Sequence, residues 1–162
     1  NHLHGNVFPE PESQLTQIAR LPGTDGRKMS KSYGNEIPLS VDPEIASKKI
    51  MTMVTDPARK RRDDPGVPQK CPIFDYHKVF SSNEDQKWVR TGCTTAEIGC
   101  VDCKKHLLKG MLPVMGSLYE KRKELEKSPD SVKEILIEGS ARAREIARET
   151  LGEVRQAMKI QY

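Results

Sequence analysis

Apolar residues recur with a helical period from about Asp102 to Lys159, and this pattern restricts the fold more than any other feature of the chain. Leu107, Leu108, Met111, Leu112, Met115, Leu118 and Tyr119 form one stripe. Val132, Ile135, Leu136, Gly139, Ala143, Ile146, Ala147, Thr150, Val154, Ala157 and Met158 form a second. Residues three and four apart share one face of a helix, so the spacing predicts two long helices with both stripes as core. Pro113 has no N–H to donate and should kink the first. Ser128-Pro129-Asp130 is a helix start, with a capping hydroxyl followed by a proline preset for the first turn. The small residues at 139, 143, 147 and 157 would let a neighbouring helix come close.

The same logic extends upstream. Asp42-Pro43 opens a further helix whose Ala46, Ile50, Met53 and Val54 share a face, ending near Thr55-Asp56-Pro57. Residues 56–70 are polar and carry three prolines, and two brief helices are expected around Phe74–Phe80 and Asp85–Val89. Residues 1–41 hold recurring Gly, Pro and Asn with no lasting period, which reads as loop with one short strand or turn. The expected class is therefore mainly α.

No apolar run approaches the roughly 18 residues of a membrane span, and the start, Asn1-His2-Leu3-His4, has no signal layout. It has no initiator Met, so the chain is expected to begin inside a longer protein. A net charge of +4 leans mildly toward polyanions. Aromatic content of 5% argues against an extended stacking surface for single strands. The second basic cluster, Arg59-Lys60-Arg61-Arg62, is either a surface loop balanced by Asp63 and Asp64 or a contact for RNA phosphates.

Four cysteines stand as C-x21-C-x6-C-x2-C: Cys71, Cys93, Cys100 and Cys103. Uneven spacing without a signal segment favours a reducing compartment and a metal site over disulfides. Four thiolates suit a tetrahedral structural Zn2+ and equally a [4Fe-4S] cubane. Four separate buried thiols are the third reading, and the residues leave all three open.

The densest chemistry lies in Leu21-Pro22-Gly23-Thr24-Asp25-Gly26-Arg27-Lys28-Met29-Ser30-Lys31-Ser32-Tyr33-Gly34-Asn35. Three cations and two hydroxyls fall between positions 27 and 32, punctuated by glycines. Lysine holds phosphate as a mobile point charge and serine donates to its oxygens. Residue types alone allow either a solvated basic turn or a loop for a polyphosphate.

The order of residues resembles a known family. Lys28-Met29-Ser30-Lys31-Ser32 is similar to the second signature of class I aminoacyl-tRNA synthetases, and the flanks Pro22-Gly23-x-Asp25-Gly26 and Ser32-Tyr33-Gly34-Asn35 narrow it to the tryptophanyl and tyrosyl pair. The cysteine set resembles that of a subset of the tryptophanyl group, in which it carries a [4Fe-4S] cluster beside the anticodon-binding region, although the first spacer is one residue shorter. That resemblance favours tryptophan over a tyrosyl-type fragment, and the cluster over zinc. It implies that residues 1–41 are the end of a Rossmann-like catalytic domain, otherwise missing, and residues 42–162 a helical anticodon-binding domain with its metal site at 71–103.

It further implies ATP with Mg2+, tryptophan and tRNA(Trp) as partners, a homodimer as the full-length ligase, a cytoplasmic location and no membrane. Lys28 and Lys31 would meet the pyrophosphate oxygens. Ser30 and Ser32 would order the loop, and Met29 would offer backbone to the adenine. Arg27 has no assigned role beyond a solvated flank. His2-Leu3-His4-Gly5 has the residue types of the family's other signature in the wrong order and is read as coincidence. The chain alone is expected to be inactive. A stand-alone metal-containing tRNA-binding module is the remaining alternative.

Overall fold

The computed structural model describes residues 2–16 and 18–160. Among the described residues five α-helices follow in chain order: α1 (Pro43–Thr52), α2 (Pro72–Phe80), α3 (Asn83–Thr94), α4 (Cys100–Glu126) and α5 (Pro129–Ala157). Short 3-10 turns occupy Lys31–Tyr33 and Pro68–Lys70. Among the described residues the extended pairing is a single antiparallel bridge between Pro22 and Lys28. The class is mainly α, as the periodicity predicts. No helix among the described residues is long and apolar enough to cross a membrane.

Local chemistry explains the starts. Asp42 Oδ1 accepts the Glu44 amide at 2.8 Å, and Pro43 occupies the first turn of α1. Ser82 Oγ accepts the Asp85 amide at 3.1 Å. That cap starts α3 at Asn83 and carries it well past the short Asp85–Val89 helix expected. α4 runs through Pro113 without a break, although the missing N–H leaves the Lys109 carbonyl without its helical donor.

The chain divides into two compact units, residues 15–123 and residues 1–14 with 124–162. In the first, the core joins Ile37, Ala46 and Ile50 to Met53, Ile73 and Tyr76, and these to Leu107, Leu108, Met111 and Met115. Each large apolar side chain so buried contributes about 1.5–3 kcal/mol. Gly110 lets α4 pass the end of α2, because a Cβ there would collide with the Phe80 carbonyl oxygen.

The second unit departs from expectation. No residue of α5 is buried. Ile135, Leu136 and Ile146 are exposed at 61%, 65% and 66%, and a Cβ at Gly139 would meet nothing within 4 Å. A 3.6-residue period states which side chains share a face. It does not supply a surface to cover that face.

Candidate functional site

The signature loop is built on a hairpin. Gly23 N–H donates to the Arg27 carbonyl at 2.7 Å and Gly26 N–H to the Gly23 carbonyl at 2.9 Å. Gly26 sits at φ +79°, a left-handed conformation that costs glycine little. Asn35, only 3% exposed, fastens the hairpin to the basic segment. Its Nδ2 donates to Asp25 Oδ1 at 2.8 Å and to the Lys28 carbonyl at 3.1 Å, and its Oδ1 accepts the Ser30 amide at 2.8 Å. Gly23 must lack a side chain, because a Cβ there would run into the Asn35 carboxamide.

Charge is arranged on the same frame. Arg27 Nε donates to Asp25 Oδ2 at 2.8 Å, and its guanidinium lies 4.9 Å from the centre of the Tyr33 ring. Arg27 is thus both solvent-exposed and paired within the loop. The Asn35 hydrogen bond, followed by the Arg27 amide, holds the Asp25 carboxyl down at about 2. Tyr76 on α2 donates its hydroxyl to the Pro22 carbonyl at 2.7 Å, and Val54 N–H reaches the Thr24 carbonyl at 2.9 Å. The hairpin is thus tied to the first unit's core.

Of the predicted loop residues, Lys28 and Met29 line a cavity of about 550 Å3 with Arg20, Leu21, Pro22 and Arg27. Met29 also packs against the core. Lys31 and Ser32 are exposed on the 3-10 turn, and Ser30 caps that turn half-buried. The two lysines remain exposed to solvent. The sequence reaches Asn35 only as the end of the Ser32-Tyr33-Gly34-Asn35 flank and gives Tyr76 no role. Asn35 could have been suspected as a polar residue following a left-handed glycine, Gly34 at φ +64°.

The four cysteines are brought into one electrostatic neighbourhood. Burial pushes the Cys103 thiol up to about 12, with repulsion from Cys71, Cys93 and Cys100 adding to it. Cys71 and Cys93 are raised chiefly by burial, and each also feels Cys100. Among the described residues no three of His, Cys, Asp or Glu stand close enough to hold a metal ion.

Around the thiols, Cys103 Sγ lies 3.3 Å from His77 Nε2. Gly66 lets Cys93 in, since a Cβ there would stand 2.5 Å from its sulfur. Arg59 crosses the region: Nη2 donates to the Arg62 and Ile98 carbonyls at 2.6 and 2.7 Å, and Nη1 lies 3.9 Å from Cys93 Sγ. Arg59 is only 8% exposed. This corrects the expectation of four adjacent phosphate-contacting cations, because Arg59 is committed inward while Lys60, Arg61 and Arg62 stay exposed. Asp64 orders their backbone by accepting the Lys60 and Arg61 amides at 3.1 and 2.7 Å.

A helical body carrying a glycine-hinged Lys-Met-Ser-Lys-Ser loop defines a class. The model of the family described as tRNA synthetases class I (W and Y) matches residues 1–112, and the chain belongs to that family. Within it, the chain is 50% identical over its whole length to half of the tryptophan–tRNA ligase of Thermotoga maritima, and 46% identical over 99% of its length to 41% of that of Aquifex aeolicus. It superposes with a TM-score of 0.73 on a crystal structure of tryptophanyl-tRNA synthetase from Campylobacter jejuni complexed with ADP and tryptophan. That match is 31% identical and covers 98% of this chain and 50% of the other. The chain spans about half the length of the curated relatives it matches.

Proposed function

We propose that this chain supplies the signature loop and the tRNA-binding helices of a tryptophan–tRNA ligase. The observation that carries this is end-to-end similarity to such ligases, together with a loop whose frame is rigid and whose lysines are free. In this reading residues 1–41 close the catalytic domain and residues 42–162 approach the tRNA. The enzyme works in the cytoplasm, as a homodimer when full length, and the chain alone forms no adenylate.

The reaction joins the tryptophan carboxylate to the α-phosphate of ATP with Mg2+, releases pyrophosphate, and passes tryptophan to the 3′ end of tRNA(Trp). The protein's part is positioning and charge stabilisation. Lys28, at the mouth of the cavity, and Lys31, on the 3-10 turn, take the pyrophosphate oxygens as negative charge moves onto them. Ser30 and Ser32 donate hydrogen bonds, and the Met29 backbone meets the adenine. Asn35 and Asp25 fix the segment so that its two lysines swing from a constant base.

Cys71, Cys93, Cys100 and Cys103 would together hold a [4Fe-4S] cluster. What supports this reading is that the four thiols lie close enough to act on one another electrostatically, with a buried guanidinium beside them to offset anionic charge. When bound, the cluster supplies a covalent crosslink among four chain positions.

The test is pyrophosphate exchange in the full-length parent. Lys28→Ala and Lys31→Ala should each slow tryptophan-dependent exchange by about 10²–10³-fold, the usual effect of losing one preorganised electrostatic donor, with tryptophan binding unchanged. Wild-type exchange in both variants would remove the assignment.

A further inference from the structure

Tyr76 sits on α2 with its side chain 2% exposed, inside the core that joins α1, α2 and α4. The Phe80 ring stacks against it with 6.4 Å between centroids. Its hydroxyl leaves that core and donates to the Pro22 carbonyl at 2.7 Å, across 54 positions of sequence. Burial pushes the hydroxyl up to about 12, so it keeps its proton and stays a donor. A phenylalanine would fill the same space, and the oxygen is what reaches the hairpin.

Pro22 faces Lys28 in the antiparallel bridge. On the turn side of that bridge Gly23 N–H donates to the Arg27 carbonyl, which makes Pro22 and Lys28 a pair whose carbonyls point outward. Each outward carbonyl takes a side-chain donor: the Tyr76 hydroxyl on Pro22 at 2.7 Å, and Asn35 Nδ2 on Lys28 at 3.1 Å. Asn35 belongs to the loop itself, whereas Tyr76 belongs to a packed helix outside it. The Tyr76 bond therefore refers the main chain at Lys28 to the core. The Val54 amide, on the Thr24 carbonyl at 2.9 Å, anchors the tip of the hairpin instead.

We propose that Tyr76 is a positioning residue for the signature loop: through Pro22 it fixes the main chain from which Lys28 reaches the pyrophosphate oxygens. The proposal rests on the ligase reading above, in which Lys28 meets those oxygens. Tyr76 touches no substrate in this role, and its contribution is geometric. A cation stabilises developing charge only when it is aimed where that charge appears, and a misplacement of about 1 Å can cost on the order of 10²-fold in rate. Without the hydroxyl the Pro22–Lys28 pair keeps its Asn35 contact and loses its tie to α2, so Lys28 swings from a less constant base.

The experiment compares Tyr76→Phe and Phe80→Leu in the full-length parent, by tryptophan-dependent pyrophosphate exchange and by urea unfolding. Tyr76→Phe should lower kcat about tenfold, between the loss of one hydrogen bond and a full ångström of misplacement, with KM for tryptophan unchanged. Phe80→Leu loosens the same ring cluster without touching the Pro22 bond. It should shift the unfolding midpoint more than Tyr76→Phe does and leave kcat within about twofold. A double-mutant cycle locates the effect. In a Lys28→Ala background Tyr76→Phe should change kcat by less than about twofold, because the group it positions is gone. In a Lys31→Ala background it should keep its full effect.

Parental kcat in Tyr76→Phe would overturn the proposal and leave the ligase reading intact. So would additive losses in the Tyr76→Phe, Lys28→Ala double variant, which would mean that Tyr76 acts on something other than Lys28. Equal non-additivity with Lys31→Ala would overturn the assignment to Lys28 in favour of ordering of the whole loop. A kcat loss in Phe80→Leu as large as that in Tyr76→Phe would reduce Tyr76 to a packing role. A parent with no tryptophan-dependent exchange would remove the ligase reading itself, and the proposal with it.

Discussion

At the scale of single residues, Asn35 organises more of the candidate site than any basic residue does. It joins a carboxylate, a carbonyl and an amide spread over six positions. The basic and hydroxylic residues were legible in the sequence because their types announce phosphate chemistry. Asn35 was legible only as a flank, because its role arises from what the fold places around it. Asn35→Ala should raise the Asp25 carboxyl from about 2 toward its ordinary 3.8, read by NMR titration of the side-chain carboxyl. The sign follows directly: a depressed folded value means that Asp25 stabilises the hairpin above pH 4 and that this contribution fades between 3.8 and 2. In the Asn35→Ala variant residues 22–30 should therefore be less stable above pH 4 and their stability should change less between pH 3.8 and 2. An unmoved Asp25 titration would show that Asn35 does not set it.

At the scale of elements, two glycines in neighbouring helices carry opposite expectations. Gly110 in α4 faces the Phe80 carbonyl oxygen and Gly139 in α5 faces open space. Gly110→Ala should destabilise by about 1–3 kcal/mol, since backbone rather than a flexible side-chain tip must move. Gly139→Ala should stabilise by about 0.5–1 kcal/mol, since alanine loses less entropy in a helix and meets nothing. Urea unfolding of the two variants checks both, and a loss of stability at Gly139 would mean that α5 is covered. The sequence pattern ranked Gly139 as a packing position and passed over Gly110. Periodicity located the helices, with α1 and α2 close to their expected bounds, but which glycine meets a neighbour depends on where two elements cross.

At the scale of the molecule, the thiol region is the least supported part of the first unit. Between residues 81 and 103 the buried apolar side chains are Val89 and Ile98, and neither belongs to the core that unites α1, α2 and α4. α3 is held by Gly92 against Ile98, by Asp85 and Trp88 against His106 of α4, by Arg90 over the Phe74 ring of α2 and by the Arg59 contact with Cys93. In the proposed reading a four-point crosslink would staple this region further, as metals do in small domains that lack a core. Anaerobically purified protein should thus be brown, with about four irons per chain. Cys100→Ser, or removal of the iron by a chelator, should bleach it and raise amide exchange across 83–103, while exchange in α1 and the buried part of α4 changes little because their core is separate. A colourless protein with one zinc per chain would replace the cluster, and uniform protection of 83–103 after iron removal would show that the thiols do not staple this region.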